Sequence, residues 1–400
     1  MGLKSYPRLY FELIFVGFTL FMGMRLPDAF LPIFADELDP TGVLVGFVIS
    51  AWFFSRIFME LPSGVLADRV GKRRLLVGGL ALSAVGALIC SMANSIYLLI
   101  LGRTIWGLGT ALFFMSNTAL ILDLFKSSMR GRALGTFQGI EFIGSFIGAP
   151  IGGFIVGFIG YTGVFSLALV LMLCSLSLAS ISKDLRKVDT SRREGSQVSV
   201  REAVLSLGTW GLAAVCISNL LRMLIMMGVM STVFPLYLNY QLGISVEYIG
   251  IVMSLRTVGY ILSTVTSGYL SDMFGRKPMI ISGTLLQTGC MYAYALLPSF
   301  ELLLLIGLFD GFGSGMSFTS LIVLLSEIVP PGVRGGAIGM YRTFMDIGGL
   351  TGPLFFMLIF TNMGPYITFL VAVAILALNI ALVLTIRAKK PQAKPDQVSG

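Results

Sequence analysis

Gly64-Val65-Leu66-Ala67-Asp68-Arg69-Val70-Gly71-Lys72-Arg73-Arg74-Leu75 puts four cations, one carboxylate and two glycines into a short turn between two long apolar runs. The pattern returns 204 residues later as Gly268-Tyr269-Leu270-Ser271-Asp272-Met273-Phe274-Gly275-Arg276-Lys277. At that offset Gly107 also meets Gly311, Gly109 meets Gly313, Asp123 meets Glu327, Arg130 meets Arg334, Gly144 meets Gly348 and Gly148 meets Gly352. Chance matches in an apolar chain would favour leucine. These fall on glycine and charge, whose positions carry structural meaning. The chain therefore reads as two repeats.

Composition says where the repeats reside. Of the 400 residues 56% are hydrophobic and 12% charged, half the charge of an ordinary soluble domain, about 25%. The chain reads as an all-α integral membrane protein. There is no histidine, so proton uptake near neutral pH falls to a carboxylate. Cys90, Cys174, Cys216 and Cys290 sit inside apolar runs without paired spacing and read as small core residues.

A spanning helix needs about 20 apolar residues. Twelve such runs are expected, near 10–35, 42–67, 74–93, 96–124, 132–159, 161–182, 209–238, 246–271, 278–298, 301–327, 335–360 and 364–387. Of the 28 lysines and arginines, 22 fall in loops on one side and none in loops on the other, whose longest charged stretch, Asp36-Glu37-Leu38-Asp39, is acidic. The positive-inside rule then puts both termini in the cytoplasm. The net charge of +8 is thus topology and not a nucleic-acid footprint. The polar stretch 183–208 divides a six-span half, 1–182, from a second, 209–387, and 388–400 reads as a disordered cytoplasmic tail. Two six-helix halves of like orientation place a substrate site between them, near mid-membrane.

These residues carry a family resemblance across nearly the whole chain. Gly64-x-Leu66-x-Asp68-Arg69-x-Gly71-Lys72-Arg73 resembles the signature loop of major facilitator superfamily transporters, with a degenerate copy at 268–277. Arg103-x-x-x-Gly107-x-Gly109-x-Ala111 is similar to that family's second motif. Gly135, Gly144, Gly148, Pro150, Gly152 and Gly153 resemble the glycine–proline motif of its 12-span drug and small-molecule:proton antiporters, although Ala149 here separates the third glycine from the proline. The resemblance implies a fold whose third, sixth, ninth and twelfth helices are peripheral. It also implies a monomer in the cell membrane, and a conformational latch in which Asp68 meets the start of the eleventh span near Arg334–Gly336. Lys72 or Arg73 would bridge Asp68 to Asp123, and Arg276 or Lys277 would join Asp272 to Glu327. An arginine at position 103 is implied to influence proton transfer.

The remaining six cations are all arginines within spans: Arg25, Arg56, Arg103, Arg222, Arg256 and Arg342. Deep acids are Asp28, Glu60, Glu141, Asp310 and Asp346. Each costs about 2.5–3.5 kcal/mol at a helix centre and so implies a partner or a wet cavity. Spacing lets Arg25 close on Asp28, Arg56 on Glu60 and Arg342 on Asp346. Arg103, Arg222, Arg256, Glu141 and Asp310 have no charged partner on their own span. Glu141 and Asp310, roughly 15 Å from their helix ends, are the expected titrating groups, with Asp28 third. Pro27 and Pro32 should loosen the first span and free carbonyls.

No nucleotide-binding loop, metal-ligand cluster or nucleophile–base set is legible, so an enzyme is not expected and no cofactor is called for. The expected function is proton-driven efflux of small organic, drug-like molecules by alternating access. Its partners are the substrate, protons and the bilayer. The alternative is an uptake symporter or facilitator for a small organic anion, suited to the slight arginine excess.

Overall fold

The computed structural model describes residues 7–39, 42–125, 127–188, 210–296, 299–329 and 334–386; several side chains within them, those of 60–69, 268 and 334–336 included, lie outside the described residues. All elements among the described residues are helical. They are α1 (Arg8–Arg25), α2 (Leu31–Leu38), α3 (Val43–Val70), α4 (Lys72–Ser91), α5 (Ile96–Leu124), α6 (Ser127–Ile181), α7 (Lys183–Val188), α8 (Trp210–Gln241), α9 (Val246–Phe274), α10 (Arg276–Ala295), α11 (Phe300–Ile328) and α12 (Arg334–Leu384). Among the described residues, eight helices are long and apolar enough to cross a membrane. Their outer faces expose large apolar side chains such as Phe158 and Val265, each 75% exposed. A surface of this kind suits lipid and not water.

The first apolar run is not one helix. Between α1 and α2 the chain tightens into a 3₁₀ turn, Leu26–Ala29, with Pro27 inside it and Pro32 opening α2. Neither proline can donate to a preceding carbonyl, so the α-helical ladder breaks there. α8 departs in the other direction. It widens to π-helix over Met226–Val233 and again over Tyr237–Gln241, and the Thr232 hydroxyl donates to the Met227 carbonyl five residues back.

The repeat appears in local geometry. Gly71 and Gly275 precede α4 and α10 with φ of 97° and 91°, a conformation that a Cβ disfavours strongly. Gly160 and Gly364, also 204 apart, leave helical geometry inside α6 and α12 with φ of 70° and 80°. Gly79 against Gly109, and Gly283 against Gly313, bring backbones so close that a Cβ on either partner would strike the facing carbonyl.

The described residues group into two compact units that interleave in sequence. One draws on the described residues within 1–197, 223–254 and 346–368, the other on those within 198–222, 255–345 and 369–400. In the first, α6 lies along α1. Cβ atoms at Gly144, Gly148 and Gly152 would strike the carbonyls of Phe18, Met22 and Leu26 in turn. A stripe of hydrogen side chains every four residues therefore lets the two backbones touch and seats the 3₁₀ turn. Pro150 lies within α6, and Gly153 meets Gly250 of α9. In the second, Leu212, Val215, Ile280, Leu321, Leu324, Tyr341 and Val383 form the apolar core. Cys90, Cys216 and Cys290 are buried, whereas Cys174 is exposed on α6 and is not a core residue.

Candidate functional site

In the first unit the 3₁₀ turn carries the chemistry. It holds Asp28 beside Arg25, with Arg25 Nη1 2.7 Å from Asp28 Oδ2. These two line a small void together with Met24, Leu31, Ile49, Trp52, Phe53, Arg103, Met227 and Ser231. The void measures about 30 Å³, room for roughly two water molecules. Met227 and Ser231 reach it from the π-helical stretch of α8, where the wider turn changes which side chains face inward.

Arg103 is 5% exposed. Among the described residues its guanidinium has no hydrogen-bond acceptor and no carboxylate within 4.0 Å; it lies 5.6 Å from the centroid of the Trp106 ring. Asp28 attracts it from a distance and Arg25 repels it. Trp52, which also lines the void, keeps its indole N–H without an acceptor among the described residues.

Deeper in the same unit Arg56 binds Asp346, Nη2 to Oδ2 at 3.3 Å. Its guanidinium also lies 4.6 Å from the Trp52 ring centroid and 5.4 Å from that of Phe114. Asp346 is fully buried. Glu60 lies outside the described residues. Glu141, also buried, packs beside Gly17 and Phe137, which places it on the α1–α6 seam and not on the void's wall.

The second unit holds a separate set. Arg256 Nε lies 2.5 Å from Asp310 Oδ2, joining α9 to α11. Gln287 of α10 donates to the other oxygen, Oδ1, at 3.3 Å. Arg222 donates to Asn219 Oδ1 at 3.3 Å and lies 4.6 Å from the Phe318 ring centroid. Asn219 in turn donates to the Tyr341 carbonyl. Arg342 is half-buried.

At the loops, Lys72 binds Asp123 at 2.5 Å, and Arg276 binds both Asp272 and Glu327, at 2.5 and 2.9 Å. The Lys72–Asp123 and Arg276–Glu327 pairs are one residue set shifted by 204. Arg73 donates to the Ser180 carbonyl, and Lys277, at the matching position, to those of Leu384 and Ile386. Gly64, Asp68 and Gly268 lie outside the described side chains, as do Arg334–Gly336.

Gln287, Asn219, Met227 and Ser231 were not legible as site residues. Three are polar groups in apolar runs, which a search for charge passes over. Met227 has no polar signal and is brought to the void by the π-helical pitch.

The family profile described as "Major Facilitator Superfamily" matches residues 13–231 and 215–400. The chain is similar to "Quinolone resistance protein NorA" of Staphylococcus aureus (strain MRSA252), at 24% identity over 366 residues, covering 86% of this chain and 88% of that protein. It is likewise 24% identical over 378 residues to "Multidrug resistance protein 1" of Bacillus subtilis (strain 168), covering 93% and 94%. Among solved structures it resembles a D-xylose-proton symporter, with TM-score 0.77 and 18% identity over 96% of this chain and 99% of the other. It also resembles the nucleoside transporter NupG, with TM-score 0.74 and 15% identity over 95% and 100%.

Proposed function

This chain belongs to the Major Facilitator Superfamily, and from that premise we propose that it is a proton-coupled exporter of small organic, drug-like molecules working by alternating access. That it is a multi-pass plasma-membrane transporter and not an enzyme follows from the family. Efflux and proton coupling are our reading. The observation that carries them is the pair of fully buried carboxylates, Asp310 and Asp346, each held by an arginine from another helix. Protonation of such a carboxylate cancels its hold on the arginine, so proton binding and helix rearrangement are linked. The names of the relatives, quinolone and multidrug resistance, support the direction and the substrate range.

In this reading the chain spans the bilayer twelve times, as halves 1–182 and 209–387 joined by 183–208, with both termini and the 388–400 tail in the cytoplasm and the molecule monomeric. The 22 one-sided cations and the breaks at Gly160 and Gly364 support that layout. Asp310 and Glu141 titrate, with Asp28 assisting. The sets Asp68–Lys72–Asp123 and Asp272–Arg276–Glu327 act as cytoplasmic latches that form in one state and break in the other. The second reading, uptake of a small organic anion, is favoured by one observation, the bare guanidinium of Arg103.

Purified protein in liposomes with an imposed pH gradient should drive a fluorescent quinolone against its own gradient, and a proton ionophore should abolish the movement. Asp310→Asn and Glu141→Gln should each retain downhill flux and lose gradient-driven flux. Flux indifferent to the ionophore removes proton coupling from the reading. Accumulation in the direction of proton flow selects the uptake alternative.

A further inference from the structure

The void beside Arg103 has a one-sided chemistry. Among the described residues, its walls hold two groups without a hydrogen-bond partner, the Arg103 guanidinium and the Trp52 indole N–H. Both can only donate. The one carboxylate on the wall, Asp28, already accepts from Arg25, and Ser231 adds a hydroxyl that can also donate. Arg56, lying over the Trp52 ring, adds positive charge nearby without offering an acceptor. An apolar environment makes each unfilled donor costly, and a bare guanidinium more than the indole. The site therefore lacks an acceptor, and a negative one fits best.

The geometry points to a carboxylate-binding subsite here, the anionic end of an amphipathic substrate lying against the Arg103 guanidinium and the Trp52 N–H. A planar fork of N–H groups matches a carboxylate in two parallel hydrogen bonds, which a halide or a neutral amide cannot reproduce. Ile49, Phe53, Leu31 and Met227 supply apolar wall for the first atoms of the substrate's body. The Arg25–Asp28 pair stays neutral as a unit and orients the turn, leaving Arg103 to set the charge preference. This inference rests on the transporter reading above and narrows it to substrates that carry a carboxylate.

The test holds the body constant and varies the head. Full-length protein in lipid nanodiscs, with no gradient, is titrated calorimetrically with benzoate, benzamide and benzylammonium. Benzoate should bind at least tenfold more tightly than benzamide, and benzylammonium should show no competing binding. Arg103→Met should abolish the preference. Arg103→Lys, which keeps the charge and loses the fork, should weaken it severalfold. Trp52→Phe, which keeps the ring beneath Arg56 and removes one donor, should reduce benzoate affinity severalfold, so the proposal stays testable if the Arg103 variants do not fold. Equal binding of benzoate and benzamide overturns it. So does a preference that survives both Arg103→Met and Trp52→Phe, or displacement of benzoate by chloride at matched concentration, which would mark a site for any small anion. The two readings fail separately. A carboxylate that binds but is never driven by a pH gradient removes proton coupling and leaves the subsite. Gradient-driven transport without carboxylate preference does the reverse.

Discussion

Arg256 and Asp310 show how a buried charge is tolerated at the scale of one residue. Asp310 is fully buried and takes both its oxygens' partners from neighbouring helices, Arg256 of α9 and Gln287 of α10. Breaking such a pair from one side leaves a lone charge in a medium that cannot solvate it, at a cost of about 3–5 kcal/mol, whereas replacing both sides with apolar groups is often neutral. Arg256→Met alone should therefore lower the stability of the protein in nanodiscs by that amount, read from thermal unfolding at neutral pH. The double change Arg256→Met, Asp310→Leu should recover most of it. A single-variant cost under about 1 kcal/mol would mean that no ionised pair is present. Spacing along one helix makes Arg25–Asp28 visible from sequence, and the pair forms. Nothing in a single sequence joins Arg56 to Asp346, 290 positions away. Such pairings depend on which helices the packing brings together, and local spacing is silent about that.

At the scale of elements, the glycines of α6 do mechanical work for the site. Gly144, Gly148 and Gly152 admit the α1 backbone down to Leu26, whose carbonyl opens the turn that carries Asp28. A Cβ at Gly152 would overlap that carbonyl, while Gly139 on the same helix has open space around it. Gly152→Ala should destabilise the protein by about 1–3 kcal/mol through overpacking. Gly139→Ala should be neutral or stabilise it by up to about 1 kcal/mol through helix propensity. Unfolding midpoints of the two variants in one detergent decide the matter, and equal midpoints would remove the stripe's role. The stripe was legible as a motif because glycines at four-residue spacing stand out in an apolar run. The π-helical stretches of α8 were not. Apolar residues satisfy a 3.6-residue and a wider pitch alike, and Met226–Val233 has no proline to mark the change. The repeat was legible at loops and packing glycines for the opposite reason, since a turn such as that at Gly71 or Gly275 admits little but glycine.

For the whole molecule, the consequence lies in how the first unit is stitched together. Segments far apart in sequence meet there: Ser50 of α3 donates to the Leu350 carbonyl of α12, Gly153 of α6 touches Gly250 of α9, and Tyr240 of α8 approaches Asp36 of α2. Around Asp36 stand Asp39, Glu37, Tyr161, which donates to Glu37 at 2.8 Å, and Glu247 beside Gly157. If the basic loops are cytoplasmic, this acidic end faces outward, and alternating access requires its contacts to part in each cycle. Burial holds the Asp36 carboxyl above its ordinary range; the nearby Tyr240 hydroxyl opposes the shift and the Asp39 charge adds to it. A raised value means that the packed form binds this proton more tightly than a form in which Asp36 is hydrated. The packed form therefore gains stability as pH falls through the raised value and loses it as pH rises above. Hydrogen exchange of backbone amides in 31–38 and 237–241, corrected for intrinsic rate, should be slower near pH 4, about the ordinary carboxylate value, than at pH 7.5. Asp36→Asn, a neutral mimic of the protonated acid, should give the slow pattern at both values. Exchange that ignores pH in the wild type, or that stays fast at pH 7.5 in Asp36→Asn, would free this end of any proton sensitivity.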